Sequence, residues 1–358
     1  MKILLFTLEY PPFKGGVAEY YENLVKYWPE PKEIFVLENN NNSLIDNRIW
    51  PKWLPALFKL TKEAEEKKIH HVLAGQILPL GTVAYLVSKF KKFEYSIIIH
   101  GLDFSLASRG LRKRWLTKII LVGAKNIICA NSYTAKLVEN FLGSREKIIV
   151  VNPGVESRIT HKAQRITQIK KKYNLENKFT LLTVGRLVKR KGVDMVLKSL
   201  PKVLEKNPDL IYVIIGNGPE EENIKNIITE LKLEKNVLII PDANDEEKNC
   251  WYEICDIFIM PARNIGGDFE GFGIVYLEAN LAGKPVIAGD SGGIRDAVVY
   301  GENGLLVNPE NEEEIAEAII KLARDENLRK KLGEQGRQRT IEKFDWEKQV
   351  KKIYNLIK

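Results

Sequence analysis

Cysteine and histidine are scarce in this chain, and neither is arranged for chemistry. Cys129, Cys250 and Cys255 form no metal-ligand spacing, and the four histidines are scattered, so neither a disulfide framework nor a zinc pattern is present. A reducing cytoplasm is the expected compartment. No apolar run approaches the ~20 residues needed to cross a bilayer. The opening MKILLFTLEYPP has only a short apolar stretch before Glu9 and two prolines; it reads as a first strand, not a signal peptide. No Gly-x-Gly-x-x-Gly follows that strand, which removes the main support for dinucleotide binding. There is no internal repeat, no low-complexity tract apart from asparagines at 39–42, and no recognisable nucleic-acid-binding module.

What is present is an ordinary globular composition over 358 residues, a length that suggests two domains. The formal net charge of +8 and a pI near 9.1 fit an anionic partner: nucleotide, anionic lipid or nucleic acid. Short β-branched runs alternate with amphipathic segments along the chain, the pattern of an α/β fold with parallel sheets. Strands are expected at 2–8, 34–37, 71–74, 96–100, 126–130 and 148–151, then at 179–184, 210–215, 237–240, 256–261 and 286–288. Periodicity fades through a basic, polar stretch between them. The expected division is therefore an N-terminal domain over 1–155, a linker over 156–178, a C-terminal domain over 179–343 and a final helix over 344–358.

The most informative stretch is GGDFEGFGIVYLEANLAGKP, residues 266–285. It lies between two strand-like segments, so its Gly-rich turn occupies the carboxyl end of a strand, where open α/β sheets place ligands. The spacing predicts a helix over 272–281, with Glu270 at its entry and Glu278 about two turns along. Gly271 and Gly273 carry no side chain to block a ligand, and free N–H groups at a helix start attract anions or hydroxyl oxygens. Carboxylates accept well from sugar hydroxyls, and Glu278 sits among Val275, Tyr276, Leu277 and Ala279, where an unpartnered carboxylate is costly. A ligand that is phosphate at one point and polyol at two others fits this pattern, as a nucleotide sugar does. The plainer alternative is one capping and one solvated glutamate.

Other loops repeat the geometry. Gly15 and Gly16 precede a helix at 17–28 and allow close backbone approach to a phosphate or acceptor, or form a plain turn. His100 falls at the carboxyl end of a strand. Arg186 and Lys191 lie in the loop leaving 179–184 and are available to a diphosphate, although basic loops are commonly solvated surface. Arg109, Arg112, Lys113, Arg114 and Lys118 form a cationic cluster, with Leu111, Trp115 and Ile119 at helical spacing. That pattern suits either an interfacial helix on anionic lipid or a solvated face with a buried stripe. Residues 50–58 add an aromatic-rich patch, and Ser132 is expected to cap the helix at 134–142.

Taken in order, PPFKGG, HGLD, GRLVKRKG, GNGP, EGFGIVYLE and SGG resemble the retaining glycosyltransferases of family four, also called glycosyl transferases group 1. These have the GT-B fold, two facing Rossmann-like domains with a deep cleft between them. The stretches MPARNIGGDFEGFGIVYLEA and GRLVKRKG look most like bacterial mannosyltransferases that act on phosphatidylinositol mannosides with GDP-mannose. The resemblance implies that Arg186 and Lys191 bind the donor diphosphate, near Gly185 and Gly216. It implies that Glu278 holds the ribose hydroxyls, and that Glu270 holds the transferred sugar beside the amides of Gly271, Phe272 and Gly273. His100 would stand at the reacting sugar, with Gly15 and Gly16 on the diphosphate and acceptor side. The final helix would cross back to the N-terminal domain.

The expected reaction is a retaining hexosyl transfer from a nucleoside-diphosphate sugar to a lipid-linked or polysaccharide acceptor. No Asp-x-Asp occurs, so neither a metal nor any other cofactor is expected, and the two cations take the place of a divalent ion. A UDP-sugar donor, or a catalytically silent sugar-nucleotide-binding subunit, is the alternative. A monomer or weak dimer with peripheral contact to an anionic membrane, and no nucleic-acid partner, completes the expectation.

Overall fold

The computed structural model describes residues 1–13, 15–156 and 163–358. The chain divides into two compact units, one formed by Met1–Gly154 with Trp346–Lys358 and the other by Val155–Asp345.

In unit 1 the order is β1 (Ile3–Thr7), α1 (Gly16–Lys26), β2 (Ile34–Glu38), α2 (Leu54–Glu66), β3 (His71–Ala74), α3 (Thr82–Ser88), β4 (Glu94–Ile99), α4 (Leu102–Ala107), α5 (Leu111–Gly123), β5 (Ile127–Cys129), α6 (Ser132–Leu142) and β6 (Ile148–Val150). The strands form one sheet in the order β2-β1-β3-β4-β5-β6, parallel throughout. Alternate strand residues face opposite layers. Leu4, Phe6, Val72, Ala74, Ile97, Ile99, Ile127 and Cys129 lie in one core with residues of α2 to α6. Ile3, Leu5, Leu73, Ile98 and Ile128 lie in the other, with residues of α1 and of the terminal helix at Trp346–Ile357.

Unit 2 runs α7 (Ala163–Lys172), β7 (Phe179–Val184), α8 (Val193–Lys206), β8 (Leu210–Ile215), α9 (Glu221–Glu230), β9 (Val237–Ile240), α10 (Asp245–Ile254), β10 (Ile257–Met260), α11 (Ile274–Leu281), β11 (Val286–Gly289), α12 (Ile294–Ala297), β12 (Gly304–Val307), α13 (Glu312–Arg324) and α14 (Glu326–Lys343). The terminal helix of unit 1 is therefore α15. The second sheet has the order β12-β11-β10-β7-β8-β9 and is also parallel. Both sheets are wound outward in two directions from an inner strand pair, β1/β3 in the first and β7/β10 in the second. At such a reversal the loops leaving neighbouring strands diverge and open a crevice at the carboxyl edge.

Three expectations change. The stretch 156–178, read as a linker, contains α7; Ile169 and the following Leu175 are buried in the unit 2 core, with Ile166 and Tyr173 packed against it. Its many polar residues hide an apolar stripe at 166, 169 and 173, and residues 157–162 lie outside the described part. Helix α6 is capped by Asn131, whose Oδ1 accepts from the Thr134 amide at 2.7 Å; Ser132 is its first helical residue. The aromatic patch and the charged segment around 50–68 belong largely to the single helix α2.

Candidate active site

The loop from β7 to α8, Gly185 to Gly192, leaves the sheet at the β7/β10 reversal. It is zipped to the β8 exit loop: Gly185 N donates to Ile215 O at 2.9 Å, and Leu187 N to Asn217 O at 2.8 Å. A side chain at Gly216 would put its Cβ 2.1 Å from the Gly185 carbonyl oxygen, so glycine is required there for the two loops to touch. Arg186 projects from this loop, exposed.

Across the reversal, the loop leaving β10 presents Glu270. Its Oε2 accepts from Lys191 Nζ at 2.6 Å and from Arg190 Nη1, while Arg190 Nε reaches Asp268 Oδ1 at 3.1 Å. The Lys191 and Glu270 side chains are each only 12% exposed. Burial pushes the Glu270 carboxyl up, but the charges of Lys191 and Arg190 outweigh it and hold the group down at about 2. The backbone is fixed as well: Glu270 O accepts from Gly293 N at 3.0 Å. Gly292, at φ +59°, leaves no room for a Cβ, which would stand 2.6 Å from that same oxygen.

Glu270 lies further from the helix than the spacing suggests. Gly273, in the left-handed region, is the N-cap, and α11 begins at Ile274. Phe272 is buried against Phe344, so it anchors the loop while the backbone of Gly271 to Gly273 stays at the carboxyl edge. The first turn of α11 offers N–H groups without intrahelical acceptors. One turn on, Glu278 accepts from Tyr252 Oη at 2.5 Å through Oε2. Burial raises its carboxyl above the usual value, against the opposing influence of that hydrogen bond.

In unit 1 the β1/β3 reversal carries Gly15 and Gly16. Among the described residues, a Cβ at Gly16 would meet nothing within 4 Å, and one at Gly15 only the Phe13 ring at 3.7 Å. Packing does not demand glycine here, and the N-terminus of α1 stays open. His100 ends β4. Its Nε2 lies 2.9 Å from Tyr21 Oη, and Tyr21 Oη donates its one proton to Gly75 O at 2.7 Å. Nε2 must therefore carry the hydrogen, leaving Nδ1 as the acceptor. Burial pushes the imidazole down to about 4, so it is neutral at physiological pH. Asp103 of the HGLD segment accepts the amides of His100 and Gly101 through Oδ1 at 3.1 and 2.8 Å, which fixes the turn after the strand.

The structure thus joins Lys191 to Glu270 directly. It sets Arg186, Gly185, Gly216, Gly271, Phe272, Gly273 and Glu278 along the carboxyl edge of the unit 2 sheet, and Gly15, Gly16 and His100 at that of unit 1. Sequence reasoning missed Arg190, Asp268, Tyr21 and Tyr252. Arg190 was legible as a third cation beside Lys191, facing the acidic pair of Asp268 and Glu270. Tyr252 left no signal, since it sits on another helix, 26 residues from its partner.

Two parallel, doubly wound six-stranded sheets define the fold class, GT-B. A solved Anabaena structure, Alr3699/HepE in complex with UDP, superposes with a TM-score of 0.84 at 19% identity over 99% of both chains. Residues 165–339, nearly half of the chain, match the family described as Glycosyl transferases group 1. It is 28% identical over 371 residues to an uncharacterized glycosyltransferase of Methanocaldococcus jannaschii, covering 99% of this chain and 98% of that one. It is also 28% identical over 378 residues to a GDP-mannose-dependent alpha-(1-6)-phosphatidylinositol monomannoside mannosyltransferase of Mycobacterium tuberculosis, covering 100% and 98%.

Proposed function

We propose that this glycosyltransferase is a retaining, metal-independent hexosyltransferase whose first-choice donor is GDP-mannose and whose acceptor is lipid-linked or a glycan. The observation that carries the reading is the meeting of Lys191 and Glu270 at the β7/β10 reversal, with Arg186 in the same loop. Without donor, Glu270 neutralises Lys191 and Arg190. With donor, the diphosphate takes Lys191 and Arg186, and the Glu270 carboxylate turns to the hydroxyls of the transferred sugar. Glu278 accepts from the ribose hydroxyls. His100 is neutral with Nδ1 as acceptor, so the part proposed for it is to accept a hydrogen bond and exchange no proton.

The bond from the anomeric carbon to the leaving phosphate oxygen breaks while the acceptor oxygen bonds to that carbon on the same face. The acceptor proton passes to the leaving phosphate oxygen, whose developing charge is stabilised by Arg186 and Lys191. Mannose and GDP are favoured by the GDP-mannose dependence in the name of the mycobacterial relative and by the likeness of residues 260–279 and 185–192. A membrane-borne acceptor is favoured by α5, where Leu111 is 87% and Trp115 68% exposed among Arg109, Arg112, Lys113, Arg114 and Lys118. Such a face suits an anionic lipid surface.

Incubation with GDP-mannose and with UDP-sugars, in the presence and absence of a chelator, reads free nucleoside diphosphate and the anomeric configuration of the product. Release from GDP-mannose, unaffected by the chelator and with the donor's α configuration kept, is expected. Release from UDP-sugars alone replaces the donor; inversion removes the mechanism; no release from either leaves a silent binding subunit.

A further inference from the structure

We propose that Tyr252 is a positioning residue for donor recognition: its hydroxyl fixes the Glu278 carboxylate so that the remaining acceptor sites read the ribose diol. The inference rests on the ribose role given to Glu278 above and adds a residue of another helix to it.

The tyrosine is buried and its ring packs into the unit 2 core. It is 1% exposed on α10, and its ring lies 5.8 Å from that of Phe258 on β10. Phe258 in turn meets Tyr276 of α11 edge-on at 5.8 Å, and Tyr276 Oη donates to Met260 O at 2.7 Å. This run of rings ties α10, β10 and α11 together, and the Tyr252 hydroxyl donates to Glu278 Oε2 at 2.5 Å. A phenylalanine would fill the same space, so packing does not account for the hydroxyl.

An ionised carboxylate only accepts, through two oxygens with about four lone-pair directions. One is taken by Tyr252, which pins the rotation of the group. Oε1 and the second lone pair of Oε2 remain for two donors, as many as a ribose 2′,3′-diol supplies. The same hydrogen bond favours the ionised form against the effect of burial, with Lys248 acting in the same sense and Asp245 in the opposite one. Loss of the hydroxyl would leave a carboxylate that rotates and takes up a proton more readily, and a protonated carboxyl has lost acceptor sites.

The test titrates GDP and UDP and their 2′,3′-dideoxy counterparts into the wild type, Tyr252→Phe and Glu278→Gln. Tyr252→Phe is expected to weaken ribonucleoside diphosphate binding about 10-fold, as for a lost hydrogen bond to a charged group, and to leave the dideoxy compounds nearly unchanged. In turnover, donor KM rises while kcat holds. Equal weakening of both nucleotide series would mark a purely structural tyrosine and overturn the proposal. If Glu278→Gln erases the preference for ribose while Tyr252→Phe keeps it, the inference on Tyr252 falls and the role of Glu278 stands. If Glu278→Gln treats both series alike, or the wild type binds neither GDP nor UDP, both fall.

Discussion

Glu270 is tied to two cations in a pocket where each charge is mostly shielded from water. The ion pair to Lys191 has to yield before a diphosphate can use that ammonium, so the carboxylate competes with the donor's phosphates and serves the donor's sugar. Glu270→Gln separates the two effects. Affinity for free nucleoside diphosphate, by titration, is expected to tighten roughly tenfold, as one charge-assisted contact no longer has to be exchanged. Transfer is expected to fall by about 100-fold or more. Weaker nucleotide binding in this variant would show that Glu270 does not compete for Lys191. Because Lys191 and Arg190 hold the carboxyl down at about 2 before donor binds, it contributes no step to the pH profile of kcat/KM between pH 5 and 9. At this scale the sequence was informative wherever chemistry gathers in short runs, as with Arg186, Lys191, Glu270 and Glu278. Partners that meet only through the fold, such as Tyr21 with His100, could not be read, because nothing in a linear spacing records which side chains face each other across a sheet.

Among the elements, strands were easier to locate than helices or turns. Continuous β-branched runs such as Ile211 to Ile215 can only be buried on both faces, and β3, β7, β8 and β9 fall where the runs place them. Helix α7 was hidden by its lysines, and α11 was drawn two residues too long because periodicity cannot see that Gly273 turns left-handed. Strand β3 carries the clearest acid-sensitive group outside the site. His71 is fully buried, its Nε2 is 2.9 Å from Ser96 Oγ, and burial pushes its imidazole down to about 4. The folded state therefore favours the neutral ring. Its contribution to stability is whole above the ordinary histidine value near 6.5 and is lost as pH falls through 4. Urea unfolding at pH 7 and pH 4 should show His71→Gln sparing about 3 kcal/mol of the acid-induced loss seen in the wild type. An equal loss in both proteins would mean that His71 is not a source of acid sensitivity.

For the whole molecule, the strand-helix alternation in the sequence is enough to announce two α/β units, since both sheets repeat it. The N-terminal domain, expected to end at residue 155, ends at Gly154, and the stretch whose polarity looked like a linker lies inside unit 2. The last segment, α15, completes the core of unit 1, where Trp346, Val350, Ile353 and Ile357 are buried with Ile3, Leu5 and Leu24. The Trp346 ring meets Tyr20 edge-on at 5.4 Å. Trp346→Ala should cost unit 1 about 3–5 kcal/mol, seen as a lowered Tm; an unchanged Tm would mean that α15 is dispensable to this core.

Flotation with anionic liposomes addresses the outer face of α5 in the same whole-molecule terms. Wild-type protein should float at low salt and sediment at high salt, and Trp115→Ser should float less. Indifference to lipid and salt would remove the membrane-borne acceptor.

The most direct measurement is donor turnover by the Arg186→Ala/Lys191→Ala double variant, followed as nucleoside diphosphate released. If these two cations stabilise the leaving diphosphate, kcat drops by about two to four orders of magnitude while the variant stays folded. Wild-type turnover in the double variant would contradict the diphosphate clamp on which the mechanism is built.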